Sequence, residues 1–329
     1  MNASMPRIVV IGGGSGCPTV LRGLKSRPVR LTAVVTTMDS GGSSGRLRRL
    51  LKVPALGDLR RALAALAGEG GRSRLQTALS EYRFEGDAGG DADIAGHSLG
   101  NLLLAALADL EGGVQAAADR MADLLEAQGQ ALPVTLERAD LWARLQDGSL
   151  LEGEAAIDLR GRSTVGIERV WLSPPVAANP RALTAIGEAD ALVLGPGDLY
   201  TSVVPNLLVE GIAEAVRNSS AKTIVVANLA TKPGETDGYR LSDFLRTLLS
   251  YLGSPVPIDA VVLDSGAGRA AGGEADQSLQ GQSVEQDLDR CGDLVRRVVR
   301  RPVARGDVPW LHDPGPTADA VMEALSGSR

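Results

Sequence analysis

Cysteine and histidine are scarce in this chain, two of each in 329 residues. Cys17 and Cys291 lie far apart and form no CxxC pair, which argues against a disulfide framework or a cysteine metal site and fits a reducing cytosol. With only His97 and His312, a histidine-rich metal centre is not expected either. No charged-then-apolar leader opens the sequence; residues 1–7 are polar and run straight into a strand-like segment. The longest apolar stretch, around Leu102–Leu107, is bounded by Asn101 and Asp109 and is far too short to span a membrane. A cytoplasmic protein without a membrane span is the expectation.

An excess of positive charge is also lacking. Lys and Arg total 34 against 40 Asp and Glu, a net charge of −6. That argues against nucleic acid as a partner, while a local basic patch can still grip phosphates. Hydrophobic content of 44% and charged content of 22% are those of an ordinary globular protein. No internal repeat is evident, and the whole of residues 1–329 reads as a single Rossmann-type domain.

What is present is a rhythm of short apolar runs and helical patterns. Residues 7–11, 31–36, 191–194, 222–228 and 258–263 are nearly continuous in apolar, β-branched side chains, the pattern of a parallel sheet covered on both faces. Between them, Leu99, Leu102, Leu103, Ala106, Leu107 and Leu110 form one helical stripe. Asp58 is placed to N-cap a helix carrying Leu59, Leu63 and Leu66. The fold class expected is α/β, a doubly wound, mostly parallel sheet between two helical layers. Residues 133–158 interrupt it as an antiparallel excursion, with a hairpin turned at Asp147-Gly148. Residues 85–95, with Asp87, Asp91 and Asp93, and residues 266–282 read as loops; the acids lack EF-hand spacing.

Four loops follow these strands. Gly12-Gly13-Gly14-Ser15-Gly16 ends the first, with Cys17-Pro18 opening a helix whose free N–H groups suit an anion. The spacing is not a strict GxGxxG, and a tight turn without ligand is the competing reading. After the second strand, Asp39 is placed to accept ribose hydroxyls, and Ser43, Ser44, Gly45 and Arg46 make a second anion cradle. Arg48 and Arg49 read as a solvated helix face. Gly195-Pro196-Gly197 with Thr201 and Ser202 repeats the strand–glycine–hydroxyl plan, against an ordinary turn and cap. Asn228 and Thr231 either read a polar ligand edge or cap a turn. His97 and Asn101 open the Leu-striped helix, where a lone histidine is more often a structural hydrogen-bonder than a ligand contact. In open sheets such loops converge on one crevice.

Together these residues resemble the YvcK/CofD-like superfamily, and within it the gluconeogenesis-factor branch. The resemblance rests on the loops Gly12–Gly16 and Met38–Arg48, on Leu56-Gly57-Asp58-Leu59-Arg60, and on Tyr82-Arg83-Phe84 with Gly96–Asn101. It continues through Gly195–Leu208 and Asn228–Tyr239 to His312-Asp313-Pro314. It implies a Rossmann-like fold and a nucleotide-diphosphate ligand, a UDP-sugar such as UDP-GlcNAc in this branch. It also implies a link to carbon metabolism, cell-wall synthesis and cell shape, with room for a homo-oligomer and a protein partner. The CofD branch transfers a phospholactyl group with Mg²⁺. This chain has Asp39-Ser40 where the family pairs two acids, and Asp198 where it has Ser. A regulatory UDP-sugar binder with no metal of its own therefore leads. A Mg²⁺-dependent phosphotransferase using Asp39 and Asp58 is the alternative. An NAD(P)-dependent oxidoreductase, resting on the first loop and Asp39, comes third.

Overall fold

Strand β1 (Arg7–Gly12) shows why the apolar runs do not alternate: Ile8 and Val10 enter one hydrophobic core while Val9 and Ile11 enter another. Both faces are covered, so both parities must be apolar. A computed structural model describes residues 5–68, 73–85, 94–161, 163, 165–266 and 281–327. Its further strands are β2 (Arg30–Val35), β3 (Gln130–Pro133), β4 (Asp140–Leu145), β5 (Leu150–Glu152) and β6 (Ile167–Ser173). They continue with β7 (Ala191–Leu194), β8 (Lys222–Val226), β9 (Ala260–Asp264) and β10 (Val298–Arg301).

Seven of them form one sheet in the order β10-β9-β8-β7-β1-β2-β3, with every pairing parallel. The chain runs outward from β1 through β2, then restarts with β7 on the other side of β1. Strand order therefore reverses between β1 and β7, the place where open α/β sheets leave a ligand crevice at their carboxyl ends. The early helices are α1 (Gly16–Leu24), α2 (Gly42–Leu51), α3 (Gly57–Leu66), α4 (Ser73–Glu81), α5 (Leu99–Leu110), α6 (Val114–Leu124) and α7 (Glu154–Asp158). Leu21 of α1, Leu63 of α3 and Met121 of α6 join Val321 of the last helix, Pro314–Ser326, in the first core. The second core takes Leu141 of β4, Val170 of β6 and Leu245 of the helix Leu241–Leu252.

The doubly wound parallel sheet with its antiparallel companion is thus the observed fold, with four local differences. Pro133 ends β3 in the main sheet instead of opening the excursion; β3 is an edge strand, where a missing N–H is tolerated. The excursion does turn at Asp147-Gly148, but β6 joins it as a third strand and residues 154–158 form α7. Asp58 is no N-cap: it is the second residue of α3, and its carboxylate is engaged elsewhere. On α5 the buried face is rotated from the expected stripe, since Ala106 and Leu110 are exposed while Leu104, Ala108 and Asn101 are buried. Helices α4 and α6 flank α5, and Arg60 and Ser43 draw Asn101 inward. The expected loops 85–95 and 266–282, with Asp87, Asp91 and Asp93, lie almost wholly outside the described residues.

Candidate functional site

The first glycine loop is built against Asp58. Its Oδ1 accepts from Gly14 N at 2.9 Å, and Arg61 pairs with the same carboxylate. Burial pushes the Asp58 carboxyl up, and Arg61 opposes that shift. A Cβ on Gly13 would stand 2.6 Å from Thr36 Cγ2 and 2.8 Å from Asp58 Oδ2, and Gly14 has φ +62°. Side chains are excluded here by contact and by conformation. Gly12 is held from the other side, its carbonyl accepting from Asn206 Nδ2 at 3.2 Å. Ser15 caps α1 without a side-chain bond, and the amides of Ser15 and Gly16 donate to no described group. The dipole end of α1 is left open.

Above this end lies a cleft of about 560 Å³. Gly14, Ser15 and Gly16 form one wall with Arg22, which bonds to no described residue. Loops after β7 and β8 form the second wall through Gly197, Asp198, Asn228 and Thr231. Asn228 Nδ2 donates to Gly197 O at 2.8 Å, tying these loops together. Thr231 Oγ1 accepts from Gln282 N at 2.9 Å, a tie to a distant loop instead of a local turn cap, which occupies the hydroxyl from one side. The third wall is the segment before the last helix, with Trp310 and His312. Sequence reasoning kept His312 only as a signature and passed over Trp310.

Two polar centres, one buried and one half-buried, stiffen the second wall. Glu235 accepts from Thr201 Oγ1 at 2.7 Å and from Tyr200 N at 3.0 Å, and burial, reinforced by Asp198, pushes its carboxyl up to about 8. Thr201 is therefore spent inside the fold instead of facing ligand; Ser202 faces Gly14 with its hydroxyl unbonded to any described group. Lys232 Nζ lies 2.7 Å from Asp158 and 3.3 Å from Asp198. Burial raises the Asp198 carboxyl and disfavours the Lys232 ammonium, yet the two acids hold Lys232 above its ordinary value. The ammonium stays charged and keeps the group ionic. Asp158, Asp198 and Glu235 bring carboxylate oxygens within 4.8 Å of one another, but Lys232 already supplies the cation there.

The second loop does not line this cleft; it stands on the far side of Asp58. Asp39 Oδ1 accepts from Gly41 N at 2.9 Å. Glu154 of α7 comes beside it, Oε2 accepting from Ser40 N at 3.3 Å, and burial followed by Asp39 pushes Glu154 up to about 8. The acid missing at Ser40 is thus matched in space by Glu154, which no local pattern could reveal. Arg46 is fastened to Ala95 O at 2.5 Å, and Gly45 closes against the Ser40 backbone. Arg48 is not a solvated helix residue: it is buried, 2.7 Å from Asp140, and also donates to Ala139 O.

Ser43 and His97 meet at 3.0 Å, Oγ to Nδ1. Ser43 Oγ already accepts from Ser98 N at 3.3 Å and Asn101 Nδ2 at 3.2 Å, so its own proton goes to Nδ1. Burial and the nearby Arg46 lower the His97 pKa, keeping the ring neutral. Asn101 also reaches Ser44 Oγ at 3.4 Å and takes Arg60 Nε at 2.9 Å. These groups hold the fold, and the Ser–His contact is not a free nucleophile–base pair.

A sheet reversal crowned by glycine loops and a helix start open to anions defines a Rossmann-like α/β protein with a candidate ligand cleft. The family model described as 2-phospho-L-lactate transferase CofD matches residues 8–304, and the chain belongs to that family. The gluconeogenesis factor of Bacillus subtilis is 41% identical over 261 residues, 79% of each chain. That of Halalkalibacterium halodurans is 42% identical over 256 residues, 78% of this chain and 76% of its own. A UPF0052-family protein from Bacillus halodurans superposes with a TM-score of 0.86 at 33% identity, covering 98% of this chain and 100% of that one. No helix among the described residues is long and apolar enough to cross a membrane.

Proposed function

We propose that the protein binds a nucleoside-diphosphate sugar, with UDP-sugars such as UDP-GlcNAc as the leading class, and acts as a regulator. The observation that carries this reading is the free amide pair of Ser15 and Gly16 at the start of α1, opening with Arg22 into one cleft. Its volume, about 560 Å³, lies in the range of small-molecule sites. The relatives' name, gluconeogenesis factor, supports a role in carbon metabolism. A cytoplasmic setting, a protein partner in cell-wall regulation and a link to cell shape belong to the same proposal.

In a thermal-shift series, UDP-sugars should raise the melting temperature more than UMP or free sugars do. Equal stabilisation by UMP would count against a diphosphate cradle.

A second reading, a Mg²⁺-dependent phosphotransferase, is favoured by one observation: Glu154 joins Asp39 and Asp58 beside the first glycine loop. Turnover of a nucleotide-linked substrate, abolished by chelator, would select it. Nothing in the geometry adds support to an oxidoreductase using NAD(P).

A further inference from the structure

The cleft is chemically one-sided. Its α1 wall offers unpaired donors, the Ser15 and Gly16 amides and the Arg22 guanidinium, beside the Ser15 and Thr19 hydroxyls. The opposite wall offers acceptors, and hydrogen bonding fixes two of them. His312 Nε2 lies 3.1 Å from Ala227 O. A carbonyl only accepts, so Nε2 carries the proton and Nδ1 keeps its lone pair. Asn228, the next residue after Ala227, spends its Nδ2 on Gly197 O at 2.8 Å and keeps Oδ1 as an acceptor. Asp198 gives Oδ2 to Lys232 at 3.3 Å, while Oδ1 bonds to no described group. Trp310, half-buried, lies on the same side of the cleft as His312.

Among the described residues this wall has no unpaired cation for a phosphate: Lys232 is paired with Asp158 and Asp198, and Arg305 with Asp307, while Asn228 and His312 present lone pairs. Hydroxyls are what it can hold: they donate to carboxylate, amide and imidazole acceptors, and an aliphatic ring face packs on an indole. Resting on the nucleotide-sugar reading above, we propose that Asp198 and His312 form the subsite for the sugar's hydroxyl groups. Asp198 accepts from them in charged form, His312 through neutral Nδ1, and Lys232 holds the Asp198 carboxylate in place. The diphosphate then lies toward α1.

Calorimetric titration with UDP, UDP-glucose and glucose 1-phosphate on three chains tests this. Wild type should bind UDP-glucose more tightly than UDP. Asp198→Asn, which keeps the side-chain shape, should weaken UDP-glucose about tenfold, the scale of a charge-assisted hydrogen bond. The same variant should bind UDP as tightly as wild type or more so, since a repelling charge is gone. His312→Gln retains a donor for Ala227 O but moves the remaining acceptor to Oε1, off the Nδ1 position. It should reduce the sugar increment alone, with an unchanged melting temperature confirming the fold. Equal binding of UDP and UDP-glucose by wild type, or parallel loss of both in Asp198→Asn, would overturn the subsite while leaving a diphosphate cradle. Glucose 1-phosphate that binds and weakens in Asp198→Asn, with UDP inert, would keep the subsite and remove the diphosphate reading. A ¹⁵N spectrum with the proton of His312 on Nδ1 would overturn that residue's role without any ligand. Binding by none of the three probes overturns both proposals.

Discussion

Glu235 Oε1 lies 2.7 Å from Thr201 Oγ1, so one buried carboxyl joins the turn after β7 to the loop after β8. Its second oxygen takes the Tyr200 amide at 3.0 Å. These bonds lie behind the cleft wall and set the path of the Gly197–Ser202 loop without touching the cavity.

Glu235→Gln should therefore stabilise the protein at neutral pH. Burial, then Asp198, raises the folded carboxyl to about 8 from an ordinary 4.5. The unfolded chain sheds its proton first, so this group's contribution is complete below about 4.5 and declines as pH rises toward about 8. Denaturant melts at pH 5 and pH 8 should show the wild-type difference shrink in the glutamine variant, by an amount on the order of a few kcal/mol. An undiminished pH slope would rule out Glu235 as its source.

Asp58→Ala should cost about 1–3 kcal/mol of stability, because Gly14 N and Arg61, both half-buried, lose their acceptor. Asp58→Asn keeps an acceptor for Gly14 and should cost less. Equal losses in urea melts would show that the Gly14 bond contributes little.

Because Asp39 stands outside the cleft, on the far side of Asp58, Asp39→Asn should leave affinity for a UDP-sugar within about twofold of wild type, with the melting temperature of the free protein little changed. Asp39 Oδ2 bonds to no described group, and Oδ1 only closes the local turn at Gly41. Calorimetry that finds affinity lowered about tenfold would bring Asp39 into the site and overturn this division of the loops.

Binding of a UDP-sugar should persist in chelator. Glu154, pushed up to about 8, carries its proton at neutral pH, so the flank beside Asp39 is short of charge for Mg²⁺. Ser40→Asp would add an acid there and remove the hydroxyl that accepts from Ala155 N at 2.9 Å. That variant should be less stable without Mg²⁺ and gain more from it. A wild-type affinity that collapses in chelator would promote the transferase reading.

Burial periodicity and glycine chemistry are local, and they were legible in the sequence. The runs at β1, β2, β7, β8 and β9 had to be doubly covered parallel strands, since no other arrangement hides apolar side chains of both parities. Gly13 and Gly14 likewise announced a loop that no side chain could replace. Strands β3 and β10 are the two edges of the sheet, and their Gln130, Pro133, Arg300 and Arg301 broke the apolar run that marks a doubly covered strand. Tertiary structure alone decided how the loops divide, because Asp58 props the first loop and separates the Asp39 flank from the cleft. It also brought Glu154 to Ser40 across 114 positions and Glu235 to Thr201 across 34. A carboxylate's worth depends on which N–H groups and charges stand within a few ångströms, and chain crossings between distant elements set that neighbourhood.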